Sequence, residues 1–199
     1  AVVVYFWKDI VGIITTRNMR MIGVLIIATV PAVVVGYFIE DWMATVFRDA
    51  HVVAYALIAG SFVMLLAEYW TRPSVTEVSY RGALVVGLFQ CLALVPGMSR
   101  SGMTIAGGMF LGLGRVEAAR FAFLLSVPIL LGTGLKKLFD LESAGVLGGM
   151  GTPLILGSVA AFLSGLVAIY FVLAVVRRAP LTWFVGYRLL LALLILVLL

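Results

Sequence analysis

The chain has 199 residues, of which 64% are hydrophobic and 12% charged, and it carries a formal net charge of +5. A soluble domain of this length cannot hide so many apolar side chains, so the composition excludes one and predicts a polytopic membrane protein. One cysteine, Cys91, and one histidine, His51, exclude a disulfide framework and a clustered zinc site. The excess positive charge is expected in loops that set orientation, so no nucleic-acid partner is expected.

The first seven residues, AVVVYFW, are apolar but end at Lys8. A spanning helix needs about twenty residues. Residues 1–7 are therefore interpreted as the end of a helix whose beginning lies before Ala1. A signal peptide would need a basic region before its apolar run, and none is present.

Five later segments carry the pattern of membrane helices, and the fifth has an arginine, Arg188, part-way along. They are Met21–Ile39, Val52–Tyr69, Arg120–Leu135, Thr152–Val176 and Leu181–Leu199. The four tryptophans fall at segment borders, where an interfacial aromatic belt would place them. The predicted fold is an all-α polytopic membrane protein, a single membrane domain over 1–199 with a C-terminal three-helix part at 120–199.

The region 82–114 does not fit one spanning helix. Its two apolar legs, GALVVGLFQCLALV and GMTIAGGMFLGLG, are each too short to cross, and Pro96-Gly97 and Ser99-Arg100-Ser101 separate them. We interpret 82–114 as a re-entrant helix–loop–helix, in which two half-helices enter the membrane and return to the same side. Irregular backbone at that depth must be covered by protein or water.

Loop charges favour the re-entrant interpretation. A hairpin that does not cross puts nine basic residues on one side of the membrane and three on the other, whereas a crossing segment leaves almost no bias. The positive-inside rule then makes the Lys8–Arg20 loop cytoplasmic and the Glu40–His51 region external. The nine are Lys8, Arg17, Arg20, Arg72, Arg81, Arg115, Arg120, Arg177 and Arg178, and the three are Arg48, Lys136 and Lys137.

The stretch LVPGMSRSGMT, residues 94–104, lies at the predicted tip of this hairpin. Gly97 and Gly102 let the backbone approach a ligand closely. Ser99 or Ser101 can cap the second half-helix, whose free N–H groups and positive dipole end form an anion site.

Arg100 is the most informative residue of the stretch. A permanently charged guanidinium matches two phosphate oxygens at once, and charges inside a membrane are usually functional. The tip is therefore predicted to bind a phosphate or pyrophosphate. The alternative is that Arg100 only ties backbone carbonyls at a structural break while the serines cap a helix. Neither an HExxH zinc motif nor a GxxxxGK[ST] nucleotide loop is present in the sequence.

The sequence resembles the bacterial undecaprenyl-diphosphate phosphatases, which are the bacitracin-resistance membrane phosphatases. The stretch GLFQCLALVPGMSRSGMTIAGGMFLG, Gly87–Gly112, is similar to that family's PGxSRSxxT motif and its flanks. Further similarity lies in IIATVPAVVVGYF, AYALIAGSFVMLLAE, FAFLLSVPILLG and the closing pair Tyr187-Arg188.

The resemblance implies an activity, a fold and partners. The activity is removal of the terminal phosphate of undecaprenyl diphosphate, which recycles the lipid carrier for peptidoglycan synthesis, at a site reached from the periplasmic side of the inner membrane. The fold has two inverted repeats, each with a re-entrant pair, and about one and a half of them fall in this chain. The expected partners are the prenyl diphosphate lipid, the bilayer and a second copy of the chain.

Site residues follow from the matched motif. The expected catalytic residues are Arg100, Ser99 and Ser101. The expected diphosphate-binding residues are Pro96, Gly97, Gly102, Thr104 and Gln90, although simple helix packing explains Gln90 equally well. No metal ligand is expected in this chain, and the divalent cation that the resemblance implies, Mg²⁺ or Ca²⁺, would depend on acidic residues found elsewhere in the family.

One departure qualifies the implied activity. The family also has an E/QxxxE motif, a serine-containing loop and a histidine, all upstream of the helix that ends here at Trp7, and this sequence does not contain them. Phosphoryl transfer needs a base or a positioned nucleophile as well as charge stabilisation. The chain alone is therefore expected to lack phosphatase activity. The alternative functions are a transporter or flippase of lipid phosphates or other anions, and a purely structural membrane subunit.

Overall fold

A computed structural model gives the architecture for residues 1–46, 49–145 and 151–199, and the side chains of residues 40–46 are not described. The helices in this part of the chain are α1 Val2–Tyr5, α2 Trp7–Thr15, α3 Met19–Val46, α4 Ala50–Trp70, α5 Tyr80–Leu92, α6 Arg100–Phe110, α7 Arg115–Ser143, α8 Gly151–Arg178 and α9 Thr182–Leu198. The described residues form no strand, and one isolated bridge joins Val75 to Leu113. The predicted all-α class is confirmed.

Four of the described helices are long and apolar enough to cross a membrane. They are α3 through its stretch Met19–Ile39, α4, α7 and α8. The fifth expected span, α9, has 17 residues, somewhat fewer than the roughly twenty that cross a bilayer upright. Helix α7 extends past both ends of its predicted span, because charged residues end an apolar stretch without ending a helix.

The Lys8–Arg20 segment was predicted as a loop, and for its first half that prediction was wrong. Residues Trp7–Thr15 form α2. Asp9 lies in the first turn, where its carboxylate interacts favourably with the positive end of the helix dipole. Ile10 packs against the core, so α2 has an apolar face as well as a charged one. Arg17 adopts a φ of 48° in the short turn before α3.

Helices α5 and α6 form an antiparallel hairpin. Gly82, near the start of α5, lies against Leu111, just after α6, and the Phe89 and Phe110 ring centroids are 5.6 Å apart. The backbone N–H groups of Ser74 and Val75 donate to the carbonyl oxygen of Gly112 at 2.9 and 3.1 Å. The hairpin therefore begins and ends at the same end of the bundle, while its depth in a bilayer stays a prediction.

Three ion pairs between described residues lie at that same end of the bundle, which we call the basic end. Arg20 pairs with Glu77 and Arg120 pairs with Asp9, each at 2.7 Å. Arg115 pairs with Glu68, whose Oε2 also accepts from the backbone N–H of Leu181 at 3.1 Å. These contacts join the start of α3 to the loop before α5, the start of α7 to α2 and to the end of α4, and the start of α9 to the end of α4. The charged residues involved share one end of the bundle, as the loop-charge count indicated. The external charges Glu40, Asp41 and Arg48 of that count lie outside the described side chains.

Helix α6 lies at the centre of the core. Each residue from Gly102 to Met109 is buried, and the helix contacts α4, α5 and α7. Its glycines serve this packing. A Cβ at Gly107 would lie 3.0 Å from the Phe89 side chain, and one at Gly108 would lie 3.2 Å from Ala118. The N-terminus of α6 therefore belongs to a helix that is packed against three others, α4, α5 and α7.

Candidate anion site at the hairpin tip

The tip loop, residues 93–99, continues α5 in tighter turns before α6 begins. Backbone N–H groups of Ala93, Leu94 and Val95 donate three residues back, at 3.1 to 3.2 Å. Pro96 has no N–H and ends this series, since it cannot donate the next bond. The chain then reverses at Gly97, which adopts a φ of 99°.

Gly97 brings the tip loop into direct contact with α4. A Cβ at this position would lie 2.5 Å from the carbonyl oxygen of Val53, in a backbone conformation that already disfavours L side chains. Met98 lies opposite Gly60, ten residues into α4. At 1.5 Å per residue the tip therefore lies about 5–15 Å from the Ala50 end of α4, and the opposite end of that helix is the basic end.

Ser99 adopts a φ of 76°, which is uncommon for a residue other than glycine. It is the N-cap of α6, and its Oγ accepts a hydrogen bond from the backbone N–H of Gly102 at 3.2 Å. Strained backbone of this kind costs about 1–3 kcal/mol and persists only where its surroundings hold it in place. The start of α6 is therefore held in a defined and costly conformation.

Arg100 and Ser101, the first two residues of α6, are exposed. Within the described part of the chain, neither side chain has a hydrogen-bond partner, and neither backbone N–H has an acceptor. Two free amides at the positive end of a helix dipole, together with a free guanidinium, are donors suited to an anion, and anion binding here stays a prediction. The alternative in which Arg100 ties backbone carbonyls does not match these contacts, whereas its other part, a serine that caps the helix, is met by Ser99.

Thr104 and Gln90 lie away from the open side of the tip. Thr104 is buried, and its hydroxyl donates to the carbonyl oxygens of Arg100 and Ser101 at 2.9 and 3.2 Å. Gln90 is also buried, and its Nε2 donates to the carbonyl oxygen of Ala28 on α3 at 3.4 Å. The structure gives both residues packing contacts, and their direct binding of diphosphate stays a prediction.

Arg188 on α9 is the residue to which sequence reasoning gave no role. Its side chain is buried under the tip loop, and the residue is only 3% exposed. Nη2 donates to the carbonyl oxygens of Gly97, Met98 and Leu57 at 2.7, 3.3 and 3.2 Å, and Nε donates to Ser61 Oγ at 3.1 Å. The signal that could have found it is the one that drew attention to Arg100, an arginine inside an apolar segment.

A metal does not fit the tip. In the part of the chain that the structure describes, no three His, Cys, Asp or Glu side chains are grouped as ligands. The tip offers hydroxyls and two guanidinium groups, whereas Mg²⁺ and Ca²⁺ require several oxygen ligands that usually include carboxylates. The divalent cation implied by the resemblance therefore has no ligand set among the tip residues, and no step of the chemistry below is assigned to it.

Together the fold and the tip define a class: an all-α multi-pass membrane protein with a candidate anion site at the N-terminus of α6. The chain belongs to the family described as bacitracin resistance protein BacA, whose family pattern matches residues 1–194. This match confirms the resemblance carried by the motif.

Relatives of the chain are named undecaprenyl-diphosphatases. The protein of Mycolicibacterium vanbaalenii is 41% identical, over 100% of this chain and 78% of the relative. That of Mycobacterium marinum is 43% identical over 100% and 76%, and that of Mycobacterium tuberculosis is 42% identical over 96% and 75%. The similarity thus extends over essentially the whole chain.

Proposed function

We propose that the protein hydrolyses undecaprenyl diphosphate to undecaprenyl phosphate and inorganic phosphate, and that the residues of this chain supply the phosphate-binding part of its site. In this reaction the P–O bond of the anhydride breaks, and the oxygen of water is added to the terminal phosphorus. The observation that carries the proposal is the N-terminus of α6, where the Arg100 guanidinium and two backbone amides are free beside a buried apolar bundle. The names of the relatives support the same substrate.

Each tip residue has a part in this chemistry. The Arg100 fork binds two phosphate oxygens, and the amides of Arg100 and Ser101 stabilise the charge that develops on the transferred phosphoryl group. Ser101 can donate its hydroxyl to the same group. Ser99 holds the amides in place through its cap, and its own hydroxyl hydrogen remains free to contact the substrate. In the described part of the tip no carboxylate or histidine is present as a base, so these residues supply binding and charge stabilisation.

The proposed location is the bacterial inner membrane, with the site reached from the periplasmic side. The positive-inside rule makes the basic end cytoplasmic. The tip lies toward the opposite end of α4, which supports entry of the diphosphate from the periplasmic side. The second copy of the chain expected as a partner stays a prediction.

Phosphate release from C15 and C55 prenyl diphosphates tests the proposal, with the protein as it occurs in its native membrane. Proteoliposomes loaded with the same lipid are assayed in parallel for its transfer between leaflets. Release that depends on Arg100 is expected, without net transfer of intact diphosphate. Transfer of intact lipid without release would instead identify a flippase and overturn the proposal.

A further inference from the structure

We infer that Arg188 is a positioning residue for the diphosphate site: it fixes the tip loop so that α6 presents its first amides and Arg100 to the ligand. The inference rests on the proposed function for the identity of that ligand. Arg188 itself is buried and acts through the backbone, so it is not a catalytic residue. Four hydrogen bonds from one guanidinium join α9, α4 and the tip loop.

The carbonyls that Arg188 binds are those that determine the conformation of Ser99. The Met98 carbonyl belongs to the peptide unit that contains the nitrogen of Ser99, and this unit is planar. A fixed Met98 oxygen therefore fixes the plane on one side of the Ser99 φ angle, which is held at 76°. The bond to Gly97, the shortest of the four at 2.7 Å, fixes the preceding peptide unit.

The neighbouring residues on α4 are matched to this arrangement. A Cβ at Gly60 would lie 2.6 Å from the Met98 oxygen and 2.7 Å from Nη2 of Arg188, so α4 approaches the junction as closely as glycine permits. Ser61 accepts from Nε of Arg188 and donates its own hydroxyl to the Leu57 carbonyl at 2.7 Å. This serine thereby orients the guanidinium.

Simple helix-to-helix attachment does not account for this residue. Among the described residues no carboxylate pairs with Arg188, so an isolated charge is buried in an apolar bundle. Such burial is costly, and well-packed apolar side chains would hold α4 against α9 at least as well. What an apolar side chain cannot do is bind two successive carbonyls of the tip loop.

A spin label at the tip tests the positioning role without any substrate. The exposed Ser101 is replaced by a labelled cysteine (Ser101→Cys) in a Cys91→Ser background, and electron paramagnetic resonance reports the label's mobility. We expect an immobile label that becomes mobile in Arg188→Lys and Arg188→Met. Lysine keeps the charge but has one nitrogen, so it cannot donate to Ser61 and to the tip-loop carbonyls from the two separate positions of Nε and Nη2. The matched control is Gly186→Ala on the same helix, where an added Cβ meets no atom within 4 Å. An unchanged spectrum in Arg188→Lys overturns the inference.

Variants on α4 keep the test decisive if a substitution of Arg188 prevents folding. Gly60→Ala displaces the Met98 carbonyl, and Ser61→Ala removes the acceptor of Nε, while Arg188 remains. Both are expected to mobilise the label at unchanged helix content by circular dichroism. A label as immobile in both variants as in the Gly186→Ala control contradicts the inference.

A double-mutant cycle on affinity separates positioning from general stability. The probe is farnesyl diphosphate in detergent, measured by isothermal titration. Arg188→Lys is expected to weaken binding about tenfold when Arg100 is present, the effect of roughly one misplaced charge-assisted hydrogen bond, and clearly less in Arg100→Gln, where only the amides remain to be positioned. Equal losses in both backgrounds overturn the inference. An immobile tip in a protein that does not bind the probe refutes the proposed function and leaves the positioning role standing.

Discussion

Replacing Arg100 by lysine separates ligand binding from folding at the tip. The Arg100 side chain is exposed and makes no hydrogen bond within the described structure, so the free protein has no hydrogen bond of this side chain to lose. The free energy of unfolding should therefore change by no more than it does for a typical surface substitution, about 0.5 kcal/mol.

The ligand complex should respond very differently. Lysine keeps the positive charge but replaces a planar fork by a single ammonium group, so one of two parallel charge-assisted bonds to phosphate is lost. Such a bond contributes about 1.5–3 kcal/mol, which corresponds to a loss of affinity of about 10- to 150-fold.

Isothermal titration with farnesyl diphosphate measures this loss, and phosphate release in native membranes measures its effect on turnover. The matched control is Arg81→Lys, an exposed arginine of the same hairpin at its basic end, where affinity should be unchanged. Binding of Arg100→Lys within twofold of the parent protein would refute the bidentate role. A large fall in unfolding temperature would refute the reasoning that Arg100 has no part in the fold.

Four further substitutions test the scaffold by thermal unfolding. Gly97→Ala should destabilise the protein by several kcal/mol, because its Cβ would lie 2.5 Å from the Val53 carbonyl at a φ of 99°; a neutral result would contradict the tip geometry. Ser99→Ala should cost about 1 kcal/mol through loss of the N-cap, and a cost near zero would argue against that cap. Glu68→Gln should cost about 3 kcal/mol, because the Glu68 side chain is only 6% exposed. Arg20→Gln, in a pair exposed by more than half, should cost less than 1 kcal/mol, and equal costs would refute the ranking by burial.

The hairpin shows how far sequence patterns predict this fold. Leg length and the break at Pro96 predicted two short helices, and α5 and α6 are the result. The count of loop charges predicted which charged residues share one end, and the pairs of Arg20 and Arg120 lie there. The prediction was wrong at Trp7–Thr15. Lys8 and Asp9 interrupt the apolar pattern there, but charged side chains do not end the helix.

Within the candidate site, the sequence identified the residues that face outward more readily than those that hold them. The chemistry of the motif around Arg100 can be predicted from the motif itself, because the charge, the hydroxyls and the start of the helix all lie within a few residues of one another. Thr104 and Gln90 share the same motif region, but which way each points depends on neighbouring helices. Both are buried against packed elements, and no local pattern distinguishes a buried polar side chain from one that faces a ligand.

By itself the sequence determined the class of protein and the short-legged hairpin, and it predicted anion chemistry at the tip, because composition, apolar length and residue type act locally. Only the tertiary structure decided how the tip is held. Arg188 lies about ninety residues from Gly97 along the chain, and the bonds that join them exist only because α9 packs against α4 beneath the loop. A contact between residues so far apart in sequence leaves no local pattern. Once the helices are packed, however, a buried guanidinium requires hydrogen-bond acceptors, and the carbonyls of the tip loop provide them.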